Sequence, residues 1–320
     1  MSEDPEFTIK KGNYTLNSYI ARCAQLAMCL EVSSSPKPGN VDRHDDYEDT
    51  RYEHFLASAI SMYPVIEEAT NGSDSVGKLI KNAVIESVNW QKGGNTHFGA
   101  IILLIPLSMA AGKILKEKDT FSLSEITECA NRIVKNTDTS DAIDFYSCFE
   151  AAGVKVNPVE EFSLQNEKAI NELNEKKVSL YDLMEIAKDY DLIANEWTSG
   201  FMRCTACAET IISGMDNRLL PGYLDADIND LIVFTFLKIL SENEDTFITT
   251  KFDSETALSV SSHAKFLIQK IYNNESKFID IEPLIEEMDR ELLERKINPG
   301  STADIVIAGI FIALLAGVRY

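Results

Sequence analysis

The sequence is short of helix breakers and short of positive charge. Fifteen glycines and nine prolines in 320 residues fall below the roughly 7% and 5% of average proteins. That disfavours many short strands joined by Gly- and Pro-rich turns and favours long helices. Thirty Lys and Arg face 51 Asp and Glu, a net charge of −21. Nucleic-acid binding needs surplus cations against phosphates, and docking on an anionic membrane needs the same. Neither partner is expected. There is also no run of the roughly 20 apolar residues that a spanning helix needs. The two longest, Phe98 to Gly112 and Ile305 to Val318, read instead as core helices. The first eleven residues are polar and charged and do not resemble a signal peptide. Six cysteines scattered through apolar, helical contexts suggest no disulfide framework and a reducing, cytoplasmic setting. Cys204 and Cys207 have C-x-x-C spacing without a second pair, which favours two small buried residues on one helix face over a zinc or redox site.

What is present is helical periodicity. Hydrophobic residues make up 45% of the chain, enough for a sizeable core. The pattern predicts a polar tail over residues 1–12, then one large all-α domain over 13–320. Helices are expected at Tyr14–Val32, Tyr52–Thr70, Ser75–Gln91, Thr96–Lys116, Leu123–Asn136 and Ser140–Ala152. A polar connection follows over Asn157–Lys177. Two helices are expected within Leu180–Asp216, and further ones at Asp225–Asn243, Ser254–Asn274, Ile281–Lys296 and Ala303–Val318. No strand alternation and no internal repeat is visible.

Three loops beside these helices have residues suited to chemistry. The first runs from Glu31 to Asp46. Pro36 and Pro38 stiffen it and Gly39 permits a tight turn. Lys37 adds a cation, and Asp42, Asp45, Asp46, Glu48 and Asp49 crowd carboxylates of the kind that suit Mg²⁺, or simply form a solvated acidic loop. The second is Gly93 to Gly99, where Gly93, Gly94, Asn95 and Thr96 lead into a helix N-terminus able to hold an anion. Asn95 or Thr96 can cap that helix, and His97 stands at its start, either packed or catalytic. No P-loop or dinucleotide fingerprint is present. The third loop, Asn298 to Asp304, contains Gly300 and Ser301, with Ser301 and Asp304 at capping-box spacing. Asp245 and Thr246, followed by Lys251, read as a polar turn between helices. Glu196 and Arg203, seven apart, are expected on one helix face, as a structural pair or a ligand grip.

Taken together, these segments resemble the triphosphoribosyl-dephospho-CoA synthase family. The resemblance rests on Glu31 and Val32, Ser35 to Gly39, Val41 and Asp42, Phe55 to Ala59, and Asn95 to His97 with Gly99 and Ala100. Asp245 and Thr246, Asn298 to Gly300, and Ala303 and Asp304 complete it. The blocks keep the family's order from about residue 20 to the C-terminus. Phe98 replaces a lysine usual in bacterial members, Asn40 replaces a leucine, and the stretch from Asn40 to Tyr47 is similar to the archaeal-type branch. The resemblance implies an all-helical transferase that joins ATP, as substrate, to a hydroxyl of dephospho-CoA or a related acceptor and releases adenine. It implies Glu31, Asp42 and His97 as catalytic candidates. Lys37, Gly39, Asn40, Gly93, Gly94, Asn95, Thr96, Arg203, Lys251, Gly300 and Ser301 are nucleotide-binding candidates, and Mg²⁺ is expected on Asp42, Asp46 and Asp304. A homodimer is compatible with the apolar surface. Phosphoryl transfer or hydrolysis in cofactor biosynthesis, and a non-catalytic nucleotide-binding role, are the competing readings.

Overall fold

In the computed structural model, the described residues are 4–152, 167–215, 227–273 and 277–320. The elements in chain order begin with strand β1 (Glu6–Thr8) and helices α1 (Leu16–Ser33), α2 (Tyr52–Ser61), α3 (Tyr63–Asn71), α4 (Val76–Trp90) and α5 (Phe98–Leu115). Strand β2 (Thr120–Ser122) follows, then α6 (Leu123–Lys135), α7 (Thr139–Ala152), α8 (Glu167–Lys176), α9 (Leu180–Ala187) and α10 (Leu192–Ser199). The series closes with α11 (Met202–Met215), α12 (Ile228–Glu242), α13 (Thr246–Lys251), α14 (Ser254–Tyr272), α15 (Phe278–Glu294) and α16 (Gly300–Leu315). The all-α expectation holds. The chain groups into two compact units, the first made of residues 1–25 and 57–202, the second of 26–56 and 203–320.

The first unit is built round α5, which packs with α3, α4, α6 and α10. Isoleucines and leucines at 101–105 and 107 are buried on every side of this helix, each contributing about 1.5–3 kcal/mol by leaving water. At 18 residues it is, among those described, the helix long and apolar enough to cross a membrane, yet 72% of it is buried inside the protein. Pro106 lies inside it. A proline has no N–H for the carbonyl four residues back, which here belongs to Ile102. The indole Nε1 of Trp197 in α10 donates to that carbonyl at 3.2 Å, so the orphaned acceptor is satisfied by a neighbouring helix.

The second unit is built round α16, which packs with α12 and α13. Nearly every residue of α16 is buried. Gly309 faces α11 so closely that a Cβ would strike the Cβ of Cys207. Cys204 and Cys207 are both buried, none of the six cysteines is in a disulfide, and the close packing accounts for this C-x-x-C spacing.

The structure departs from the sequence expectations at several boundaries. Tyr52–Thr70 is two helices, divided at Met62 with Pro64 in the first turn of α3. Leu180–Asp216 holds three helices rather than two. Gly200 (φ +78°) closes α10 in the left-handed region, so Glu196 and Arg203 do not share a helix. Residues 246–251 form the short helix α13 rather than a turn. A two-stranded antiparallel ribbon pairs Phe7 with Phe121, where no strand was expected. Part of the polar stretch over Asn157–Lys177 is helix α8, and its residues 157–166 lie outside the described residues.

Candidate functional site

Glu31, Lys37, Asp42, Asp245 and Asp289 are buried polar side chains of the second unit. The loop following α1 is tied down along its length. Asn229, at the start of α12, accepts from the Ser35 N–H at 3.0 Å and donates to the Ser35 carbonyl at 2.8 Å. Arg43 donates to the same Asn229 side chain at 3.0 Å and to the Ser33 carbonyl. Gly39 adopts φ +73°, and a Cβ there would strike the Ile297 carbonyl, so both the turn and the close approach require glycine. Its N–H donates to Asp289 Oδ1 at 2.8 Å, and its carbonyl accepts from the Tyr47 hydroxyl at 2.7 Å.

Lys37 is 1% exposed and Glu31 2% exposed. The Lys37 ammonium lies 2.8 Å from Glu31 Oε1 and donates to the carbonyls of Glu31 at 2.8 Å and Val41 at 3.5 Å. Three oxygens thus surround a group with three hydrogens. Lys37 was expected to hold phosphate; in this structure its ammonium holds the loop and faces Glu31. Burial raises the Glu31 carboxyl, with Lys37 opposing.

Asp42 is fully buried. Its Oδ1 accepts from the N–H groups of His44 at 2.7 Å and Asp45 at 3.2 Å, while its Oδ2 is buried without a hydrogen-bond partner among the described residues. Carboxylate oxygens of Asp42, Asp45 and Asp289 all lie within 4.8 Å of one another. Burial, then the charges of Asp42 and Asp45, push the Asp289 carboxyl up to about 7, against the Gly39 N–H and Lys37. Asp45 is likewise raised, by burial first and Asp42 second. A cavity of about 500 Å³ opens here, lined among others by His44, Asp45, Glu286, Asp289 and Arg290.

The third loop belongs to the same unit. α16 begins at Gly300 with Pro299 as its N-cap and no side-chain cap. Ser301 is therefore inside the helix rather than capping it, and its hydroxyl lies 3.2 Å from that of Thr246. The cap is supplied from outside. Buried Asp245 accepts from Phe247 and Ile248 N–H with Oδ1, and from the N–H and hydroxyl of Thr302, both at 2.7 Å, with Oδ2. One carboxylate so fixes the starts of α13 and α16 together. Lys251 is exposed, with its ammonium 4.2 Å from the centre of the Phe247 ring. Arg203 donates to Asn243 Oδ1 at 2.7 Å.

Mg²⁺ was expected on Asp42, Asp46 and Asp304, and among the described residues these three do not form one cluster. Asp42 joins Asp45 and Asp289, not Asp46 and Asp304. Asp46 accepts from the Tyr52 N–H at 2.7 Å, at the start of α2, and Asp304 is half-buried in the first turn of α16. Asp289 escaped the sequence reading, although a signal exists. It is the one carboxylate on a stripe of buried Ile281, Ile285, Met288 and Leu292 in α15, and a charge at such a position needs a partner. Asn229 and Tyr47 had no comparable signal.

The Gly93–Gly99 loop belongs to the first unit. Gln91 holds its turn by donating to the Gly94 carbonyl at 2.8 Å and accepting from the Gly93 N–H. His97, rather than Asn95 or Thr96, is the N-cap residue of α5 and makes no side-chain cap bond, while Asn95 accepts from the Phe98 N–H at 3.0 Å. Gly94 and Asn95 are exposed and Thr96 is buried. His97 is 1% exposed, with Nδ1 3.0 Å from the Ser58 hydroxyl, itself 2.7 Å from that of Ser87.

Comparison with known proteins places the chain in a family. The family model described as ATP:dephospho-CoA triphosphoribosyl transferase matches residues 17–319. A crystal structure from Archaeoglobus fulgidus, described as a candidate triphosphoribosyl-dephospho-CoA synthase, is similar to this chain with a TM-score of 0.64 and 27% identity. The match covers 84% of this chain and 100% of that one.

Proposed function

We propose an assignment of roles from one premise: the chain belongs to the ATP:dephospho-CoA triphosphoribosyl transferase family. It is a transferase that moves the triphosphoribosyl group of ATP to dephospho-CoA. In this reaction the bond between the ribose and adenine breaks, and a new bond forms from that carbon to a hydroxyl oxygen of dephospho-CoA. The hydroxyl loses a proton, and adenine leaves with one. As the old bond lengthens, the sugar takes on oxocarbenium character, as in glycoside chemistry.

In our reading, Asp42 serves this step. The observation carrying it is that Asp42 Oδ2 is buried without a hydrogen-bond partner among the described residues, while Oδ1 is fixed by two backbone N–H groups. A buried carboxylate oriented in this way can serve the step by holding a divalent cation against the triphosphate and by setting negative charge near the developing sugar cation. The buried Lys37–Glu31 pair positions the loop that presents it. Mg²⁺ accompanies ATP in this reading, because a triphosphate entering a protein of net charge −21 needs its charge offset. His97 is a separate candidate for supplying a proton. The reduced cysteines and the enzyme class support a cytoplasmic location.

The test is chromatography of products from ATP, Mg²⁺ and dephospho-CoA. Adenine should appear only with both substrates present, and Asp42→Asn should lower kcat by about 10²-fold or more with KM changed little. A normal kcat in Asp42→Asn would remove Asp42 from the chemistry, and His97→Asn in the same assay tests the proton donor. ADP or inorganic phosphate in place of adenine would overturn the glycosyl-transfer assignment.

A further inference from the structure

We propose that Asp42, Asp45 and Asp289 form a protein-borne site for a hard divalent cation, filled before any nucleotide arrives. The site goes beyond the reaction: it requires neither ATP nor turnover. Three carboxylates converge within 4.8 Å although the loop and α15 are about 250 residues apart in sequence, as the Gly39–Asp289 contact measures. Acidic clusters are common in so acidic a chain. What distinguishes this one is Asp42, which is fully buried and leaves Oδ2 with no partner among the described residues. A buried carboxylate oxygen left bare costs free energy, and a cation beside it removes that cost.

The ligand set is all oxygen, which selects the Mg²⁺, Mn²⁺ and Ca²⁺ class over zinc or copper. Backbone donors also hold two of the carboxylates in place. Asp42 Oδ1 is held by the N–H groups of His44 and Asp45, and Asp289 Oδ1 by the N–H of Gly39. Each of these carboxylates therefore keeps its other oxygen for a metal, the arrangement that orients ligands in known metal sites. Lys37, the nearest buried cation, is committed to Glu31 and two carbonyls. The cavity against Asp45 and Asp289 leaves room for the waters that a hard cation keeps. Asp46 and Asp304 have no part in the site.

The experiment titrates the purified full-length protein with MnCl₂ in physiological salt and without nucleotide, reading the loss of the free Mn²⁺ electron paramagnetic resonance signal. One saturable site should appear, and Mg²⁺ should compete for it. Asp289→Asn should weaken it at least tenfold, in line with removal of a ligand, and the new amide can still accept from Gly39. Asp42→Asn should do the same, and if it fails to fold, Asp289→Asn carries the test. Glu291→Gln, an exposed carboxylate paired with Arg295 on α15, should bind Mn²⁺ like the parent. No saturable binding, or equal binding by Asp289→Asn and the parent, overturns the site. Adenine release is measured separately. Mn²⁺ bound without adenine release would count against the catalytic roles and leave the site, and normal catalysis without a nucleotide-free site would do the reverse.

Discussion

Lys37 is a residue that both the fold and a ligand could use. Its place in a rigid loop next to a glycine is visible in the sequence, and a lysine there suggests an anion. The structure spends that cation on Glu31 and two carbonyls in a site closed to water. Removing one partner of a buried pair leaves the other charge stranded, typically at a cost of about 3–5 kcal/mol. Lys37→Met should lose stability of that order in urea denaturation, and adding Glu31→Gln should restore part of it. If Lys37→Met matches the parent in stability yet raises KM for ATP, the lysine contacts the substrate after all. Asp289 offers a second test. Its carboxyl is raised to about 7 by burial and by Asp42 and Asp45, against about 3.9 in an unfolded chain. Between these values the folded protein binds the extra proton, so its contribution is present below about pH 4 and is lost as pH rises through 7. With divalent cations chelated, the parent should lose more stability than Asp289→Asn between about pH 5.5 and about pH 8. Parallel pH curves would show that Asp289 does not titrate there.

Helices were legible wherever the pattern was long enough to repeat. α5 and α16 announce themselves as apolar on every face, and such helices have to be central. Breaks between helices were read less well. Pro64 in the first turn of α3 is an ordinary start signal, but apolar residues on both sides made 52–70 look continuous. α13, six residues long, is too short to show a period, and the three-residue strands are too short to show alternation. Pro106 is the instructive case. The sequence shows a proline inside an apolar helix but not which group satisfies the carbonyl it orphans, because Trp197 is 95 residues away. That bond gives a direct prediction. Trp197→Phe keeps most of the ring volume and removes the donor, leaving the Ile102 carbonyl unsatisfied in the core. The expected loss is about 1–3 kcal/mol in chemical denaturation, with unchanged helical circular dichroism. A change within about 0.5 kcal/mol would mean that Ile102 does not rely on the indole.

The whole chain is set by its charge of −21. Most of this charge is spread over exposed positions, where each pair interacts weakly and salt screens what remains over about 8–10 Å. The summed repulsion still opposes compaction, so the protein should become more stable as monovalent salt is raised. The cluster of Asp42, Asp45 and Asp289 obeys a different law. It is local and partly buried, so monovalent salt screens it poorly, whereas one bound divalent cation compensates it in a single step and stabilises the fold by mass action. Two responses should therefore separate in thermal melts. NaCl should raise Tm gradually, without saturation, over roughly 0.05–0.5 M. Mg²⁺ or Mn²⁺ should add a saturating rise at far lower concentration, and Asp289→Asn should lose the second response while keeping the first. Had the sequence alone been the guide, both effects would have been assigned to a generally acidic surface, because Asp289 is one of 51 acids until the fold sets it beside Asp42. A variant that keeps both responses would return the divalent effect to that surface and leave the three carboxylates as one more part of it.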